Sequence, residues 1–261
     1  MSATGTRVGA GREAEILEWG EGRVLRLLWS AEREPALDRE ESALRAASGV
    51  GAPVPEVYER VTVDGRPGLV MERLDGPDLL TRLGSRPWTL HSAGRLLGRL
   101  HAALHDVRAP ATMPSLKDNV RDLLDRRAER VPEELAAEAV AQLAELPDGD
   151  RLCHGDFHPG NVLLTSSGAR VIDWPGASRG DPMADLCRTR LIIRLGAVPP
   201  QAPALVRRLD RAGRTWLLRT YLRSYGRADQ VAVDRWERLM TIARLAEGID
   251  SERVVLLRLL G

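Results

Sequence analysis

Asp156, Asn161 and Asp173 are three oxygen-bearing side chains whose spacing along one short stretch could build a site for a divalent cation and a proton. Asn161 stands just before the apolar run Val162-Leu163-Leu164-Thr165, and Asp173 just after Ala169-Arg170-Val171-Ile172, with the turn Ser166-Ser167-Gly168 between the runs. This pattern predicts an antiparallel hairpin, which sets the start of one strand beside the end of its partner, about 5 Å away. An amide oxygen beside a carboxylate is hard-oxygen ligation, suited to Mg²⁺ that also binds phosphate oxygens. Asp156 lies in the loop upstream, between Gly155 and Pro159-Gly160. A carboxylate there can accept a proton from an attacking hydroxyl. Any one of these residues could simply cap a turn, but three of them around paired apolar strands specify more. A rival reading makes Cys153, His154, Asp156 and His158 a zinc site. It crowds its donors into one loop and finds no partner cluster elsewhere.

The rest of the chain has to position this segment. At 261 residues and 43% hydrophobic composition it is long enough for two lobes sharing a cleft. Residues 7–11, 15–19 and 23–28 read as short strands separated by glycine turns, followed by a helix over about 35–48. Two further strands, 57–63 and 68–71, flank the turn Asp64-Gly65. The break at Leu74–Asp78 reads as a hinge. Beyond it the apolar period is helical, predicting helices over 90–107, 116–128, 132–146, 182–195, 202–226 and 231–248. The expected fold class is α+β and bilobal, with a β-rich lobe over 1–75 and a larger, mainly helical lobe over 76–261.

A net charge of about +1 carries no strong electrostatic attraction to nucleic acid or membrane, so neither is an expected partner. No apolar run approaches the roughly 20 residues needed to cross a bilayer, and Met1–Thr6 lacks a signal-peptide pattern. Two cysteines, Cys153 and Cys187, are too few for a disulfide framework and suit the reducing cytoplasm. Lys117 is the only lysine, so a site that calls for one has almost none to draw on.

The run His154-Gly155-Asp156 through Asn161, then Ile172-Asp173-Trp174, closely resembles the aminoglycoside phosphotransferase and choline kinase-like superfamily, whose fold is that of protein kinases. Gly180-Asp181-Pro182-Met183-Ala184-Asp185-Leu186 looks like a further motif of that superfamily. The resemblance implies a small-molecule kinase using Mg²⁺ and ATP, or GTP, with a hydroxyl of a small molecule as acceptor, an aminoglycoside or another antibiotic among the candidates. By the same resemblance Asp156 is the catalytic base and Asn161 and Asp173 hold Mg²⁺. His154 supports the loop, and Asp185 braces it by accepting backbone N–H bonds. Gly9 and Gly11, in Gly9-Ala10-Gly11-Arg12-Glu13-Ala14, take the place of the phosphate-covering loop. Met71 and Glu72 fall in the lobe connector, whose backbone should meet the purine edge.

One position departs from the pattern. Arg26 stands where the family carries a lysine for the nucleotide phosphates, and an arginine is longer and planar. Its expected helix partner is Glu40, with Glu41 as the alternative. From Arg188 onward fifteen arginines face seven acids, which leaves the acceptor wall basic. Asp181, Asp185, Asp210, Asp234 and Glu237 could still cluster there to receive a polycation. Trp174, Trp216, Tyr221, Tyr225 and Trp236 either stack on an acceptor or fill the helical core. Two other functions stay open: a nucleotide-binding protein with little transfer activity because of Arg26, and a metabolite kinase acting on an amino alcohol or a sugar.

Overall fold

The computed structural model describes residues 5–11, 13–196 and 204–261. Strands β1 (Arg7–Ala10), β2 (Ala14–Glu18) and β3 (Arg23–Leu28) form an antiparallel meander. Helix α1 (Glu34–Ser48) follows, then β4 (Val57–Val63) and β5 (Arg66–Glu72), and the sheet runs β1-β2-β3-β5-β4. β3 is central and carries two apolar faces, as its near-continuous hydrophobic sequence dictates. Leu25 and Leu27 join Leu17, Val63 and Val70 in a small core on one side. Val24 and Leu28 pack on the other side with Leu37 and Leu44 of α1. Strict alternation therefore puts Arg26 on the face toward α1.

The helical part begins with α2 (Leu79–Ser85), which was not expected. Asp78 starts it: Thr81 N–H donates to Asp78 Oδ1 at 2.8 Å, an N-cap bond. There follow α3 (Leu90–Asp106), α4 (Leu116–Arg126) and α5 (Glu133–Glu145). Strand β6 (Arg151–Cys153), the hairpin β7 (Val162–Thr165) and β8 (Gly168–Val171), and β9 (Ser178–Gly180) follow. The small β6–β9 pair was not expected either; two three-residue strands leave almost no periodic signal. The chain then continues through α6 (Pro182–Leu195), α7 (Ala204–Tyr225), α8 (Gln230–Ala246) and α9 (Asp250–Leu260), the last of these unexpected. The helix expected over 202–226 is seen from Ala204; residues 202–203 lie outside the described residues. Among the described residues no helix is long and apolar enough to cross a membrane.

Two features fix how these elements approach one another. Gly94 and Gly98 lie on the face of α3 that crosses α7. A Cβ added at Gly98 would come within 2.6 Å of Tyr225 N and 2.8 Å of the Ser224 Cβ. Glycine is what lets the two backbones approach this closely. The hairpin is tied by backbone bonds to the sheet lobe, where Val171 N–H donates to the Pro53 carbonyl at 2.8 Å, and to the connecting segment, where Leu164 N–H donates to the Pro77 carbonyl at 2.9 Å.

Candidate active site

The hairpin pairs Val162 with Val171, and Ile172 N–H donates to the Asn161 carbonyl at 3.0 Å, so Asn161 and Asp173 meet at its open end. Asn161 Nδ2 donates to the Asp156 carbonyl at 2.8 Å, which leaves the amide oxygen as its free ligand atom. Asp173 sits at φ 65°, a left-handed conformation uncommon for a residue with a side chain. Its neighbours hold it there. His154 Nε2–H donates to the Ile172 carbonyl at 3.0 Å on one side. On the other, Trp174 is fully buried with its indole N–H on the Val171 carbonyl. Strain of this kind survives only where the surroundings over-determine it, and it concentrates at functional sites.

His154 thus joins the loop to the hairpin exit. Its Nδ1 accepts from Asp156 N–H at 3.2 Å while its Nε2–H holds Ile172. Behind it lies Asp185, buried at 1% exposure. The His154 N–H donates to Asp185 Oδ2 at 2.6 Å and the Gly155 N–H to Oδ1 at 2.9 Å. Gly155 has φ 78°, and a side chain there would run into the Gly176 carbonyl.

Asp185 also receives two histidines that the sequence reading did not single out. His101 Nε2–H and His105 Nε2–H reach Oδ2 at 3.1 and 3.3 Å, while the hydroxyls of Tyr221 and Tyr225 donate to their Nδ1 atoms at 2.7 Å each. Two histidines four residues apart on the apolar stripe of α3 were the available signal. His101, His105 and Asp185 converge closely enough to hold a cation. The cluster is already satisfied: each Nε2–H has the carboxylate and each Nδ1 a phenol. Burial raises the pKa of Asp185, but its histidine donors outweigh burial and hold it well below the usual carboxylate range. Burial and the neighbouring His105 push His101 down to about 3, so it is neutral. The rival zinc set fails, since Cys153, His154, Asp156 and His158 share no common point.

Arg26 Nε donates to Glu40 Oε2 at 2.6 Å, with side-chain exposures of 11% and 3%. Glu41, one residue on and about 100° around the helix, pairs instead with Arg45 at 2.9 Å. Burial, the largest influence on Glu40, raises its pKa against the pull of Arg26; burial likewise opposes the Arg26 charge, but Glu40 and Asp173 outweigh it and raise the guanidinium pKa. Arg26 Nη2 also stands 3.8 Å from Asp173 Oδ1, linking sheet and hairpin.

These groups surround a cleft of about 650 Å³ between the lobes. Gly9, Gly11, Arg26, Glu40, Met71, Glu72, Asn161 and Asp173 all line it. Ala14, Val24, Leu163 and Ile172 add apolar surface near Met71. The Glu72 side chain is turned away onto Glu56 N–H at 3.3 Å, and its backbone N–H is spent on the Glu56 carbonyl. Asp156 does not line this cleft; it adjoins it through Asn161, with its side chain 43% exposed. Burial raises the Asp156 pKa, but His158, Arg188 and His154 outweigh it and hold the carboxyl near 2.

On the far side of Asp156, Arg188 of α6 donates to the Gly155 carbonyl and to Glu247. Arg244 pairs with Glu247 at 2.7 Å and with both oxygens of Glu252 at 2.7 and 2.8 Å. The acids that could have formed an acidic wall are each engaged. Asp181 accepts from Met183 N–H and the Trp236 indole, and Asp185 is the brace just described. Asp210 pairs with Arg214, Asp234 accepts from Gln230 at 2.6 Å, and Glu237 pairs with Arg190 at 3.2 Å. Of the aromatics, Trp174, Tyr221, Tyr225 and Trp236 are core, and only Trp216 is exposed.

A sheet lobe with one helix, a helical lobe, and the β7–β8 hairpin at their junction define a protein-kinase-like fold. A model described as the phosphotransferase enzyme family matches residues 4–229, and the chain belongs to that family. Its class is that of small-molecule kinases. Similar solved structures include the aminoglycoside phosphotransferase APH(3'')-Id from Streptomyces rimosus, at 19% identity and TM-score 0.64, covering 94% of this chain and 93% of that one. The macrolide 2'-phosphotransferase MphH from Brachybacterium faecium matches at 20% identity and TM-score 0.56, covering 100% and 92%. A choline kinase from Cryptosporidium parvum matches at 14% identity and TM-score 0.60, covering 97% and 88%. At these identities the likeness establishes the fold. No curated protein matches.

Proposed function

We propose that this protein transfers the γ-phosphate of ATP, or GTP, to a hydroxyl of a small molecule in a Mg²⁺-dependent reaction, with Asp156 as the proton acceptor. One observation carries the reading: the amide oxygen of Asn161, freed by the bond from Nδ2 to the Asp156 carbonyl, shares a cleft wall with the Asp173 carboxylate, directly beside Asp156. A neutral amide oxygen and a carboxylate, with room for phosphate oxygens, fit Mg²⁺, which takes few protein ligands. When bound there, the ion would neutralise phosphate charge that develops during transfer.

The chain's own groups do the rest. The apolar slot at Ala14, Val24 and Met71 takes the base, and Arg26, oriented by Glu40, takes phosphate oxygens. Asp156 accepts a hydrogen bond from the acceptor hydroxyl and aims its oxygen at the γ-phosphorus. As the new O–P bond forms and the bond to the β-phosphate oxygen breaks, the hydroxyl proton passes to the Asp156 carboxylate and the nucleoside diphosphate leaves. A carboxylate held near pH 2 is a weak base, so its work is mainly orientation, with late proton uptake. The pairing of Asp210 with Arg214 and of Glu237 with Arg190, in a region rich in arginine, favours an acceptor of low positive charge, such as a sugar, an amino alcohol or a macrolide, over a polycationic aminoglycoside. The free, buried cysteines suit work in the cytoplasm.

The second reading, nucleotide binding with slow transfer, draws on the 3.8 Å approach of Arg26 to Asp173, which sets a fixed cation beside a proposed metal ligand. ADP release measured over aminoglycosides, amino alcohols, sugars and macrolides separates the two. Asp156→Ala is expected to lower transfer at least about 10³-fold while Mg-nucleotide binding persists. Equal loss of both would assign Asp156 to the nucleotide instead.

A further inference from the structure

We infer that His158 is a positioning residue: a hydrogen-bond donor, locked in one tautomer, that engages one oxygen of Asp156 and leaves the other for the acceptor hydroxyl. The inference rests on the phosphotransfer reading above. His158 has extended backbone and caps the single turn Pro159–Asn161, its Nδ1 accepting from Gly160 N–H at 3.0 Å. A backbone N–H can only donate, so Nδ1 carries the lone pair and the ring carries its hydrogen on Nε2. That Nε2 lies 3.7 Å from Asp156 Oδ2. Asn161 Nδ2 approaches the same Oδ2, at 3.4 Å. Among the described residues nothing donates to Asp156 Oδ1, so two donors converge on one oxygen and the opposite one is left open.

The ring is seated over Gly160, where an added Cβ would come within 2.8 Å of His158 Cε1 and 3.1 Å of Nδ1. Any side chain at 160 would push the imidazole off its line to Asp156. The same geometry excludes a proton relay through His158. To take the proton from Asp156, Nε2 would need a lone pair, and the tautomer that supplies one would turn a Nδ1–H against the Gly160 N–H. At 3.7 Å the contact exceeds hydrogen-bond length, and such bonds in substrate-free sites tighten in the reacting complex.

Capping and donating reside on different ring atoms, so two substitutions separate them. His158→Asn sets its amide oxygen where Nδ1 was, keeping the cap and losing the donor. His158→Gln sets its amide N–H near the Nε2 position, keeping the donor and losing the cap. ADP release from Mg-ATP would be measured with the best acceptor of the panel, or with water if none is taken, alongside thermal melting. The expected result is that the Asn variant melts like wild type, keeps its KM for ATP and loses about 10- to 100-fold in kcat. The Gln variant is expected to melt lower and to retain the higher kcat of the two. An Asn variant at wild-type kcat, or Asn and Gln variants of equal kcat, would overturn the positioning role and leave His158 a loop cap. A wild-type protein that releases no ADP fails earlier, before any variant is compared, and counts against the transfer reading itself.

Discussion

Replacing Arg26 tests at once what the pair with Glu40 does for folding and what it does for the nucleotide. The two side chains are only 11% and 3% exposed, and the bond between them is 2.6 Å. Arg26→Met leaves a carboxylate buried without its cation, and losses of this kind cost about 3–5 kcal/mol. For a chain of this size each kcal/mol moves the melting temperature by about 2–4 °C, so a fall of about 6–20 °C is expected. A buried pair replaced by apolar residues of similar volume is close to neutral, so Arg26→Met with Glu40→Leu should regain most of that stability. The double variant still lacks the cation proposed to bind phosphate and should bind Mg-ATP at least about tenfold more weakly, or about 1.4 kcal/mol. Differential scanning fluorimetry with and without Mg-ATP, and calorimetric titration, read both quantities. Arg26→Met melting within a degree or two of wild type would refute the burial argument. A double variant that binds Mg-ATP like wild type would remove Arg26 from the nucleotide site.

Asp173→Ala is expected to weaken nucleotide binding in the presence of Mg²⁺ and to leave the weak Mg²⁺-free binding nearly unchanged; identical losses in titrations with and without the ion would exclude it from the metal shell. His101, buried and held near a pKa of 3 against an ordinary 6.5, stays neutral when folded but takes a proton when unfolded. The stability this provides is complete above pH 6.5 and is lost as pH falls toward 3, about 2 kcal/mol of it by pH 5. Urea unfolding at pH 7, 6 and 5 should show that slope, and His101→Gln should flatten it in part, since burial lowers His154 as well; an unchanged slope would count against it. Gly98→Ala gains about 1 kcal/mol in helix propensity but thrusts a methyl at the α7 backbone, where overpacking costs about 1–3 kcal/mol or more. A net loss is expected in urea melts, and a stabilised variant would show that the helices can part freely.

The β7–β8 hairpin was legible because its geometry is local: strand period and a glycine turn bring Asn161 to Asp173 whatever the rest of the chain does. The Asp78 cap of α2 was equally local and could have been read, since an Asp before an apolar pair is a helix start. The choice between Glu40 and Glu41 was not legible, because adjacent helix residues differ only in direction and the sheet decides which one is buried. The converging histidines on Asp185 were half legible. Their spacing marks one face of α3, but their partners Tyr221 and Tyr225 come from α7, about 120 residues away. Of the candidate acids, Asp210 and Asp234 meet partners four residues away on their own helices, a spacing the sequence shows, whereas Glu237 meets Arg190 of α6 and Asp181 meets Trp236 of α8, and such long-range pairing leaves no periodic trace.

An arginine in the cleft lining, where the family pattern has a lysine, also changes how this protein can be seen by chemistry. The sole lysine in the chain, Lys117, is buried with Nζ on the Leu146 carbonyl at 2.7 Å and 3.2 Å from Asp148. A guanidinium does not give up its proton at neutral pH and so presents no amine nucleophile. Nucleotide-based acylating reagents, which mark kinases by modifying an amine beside the phosphates, would therefore pass through this cleft without leaving a label. Competition by such a reagent, without covalent capture, is the signature to look for when profiling proteins of this kind.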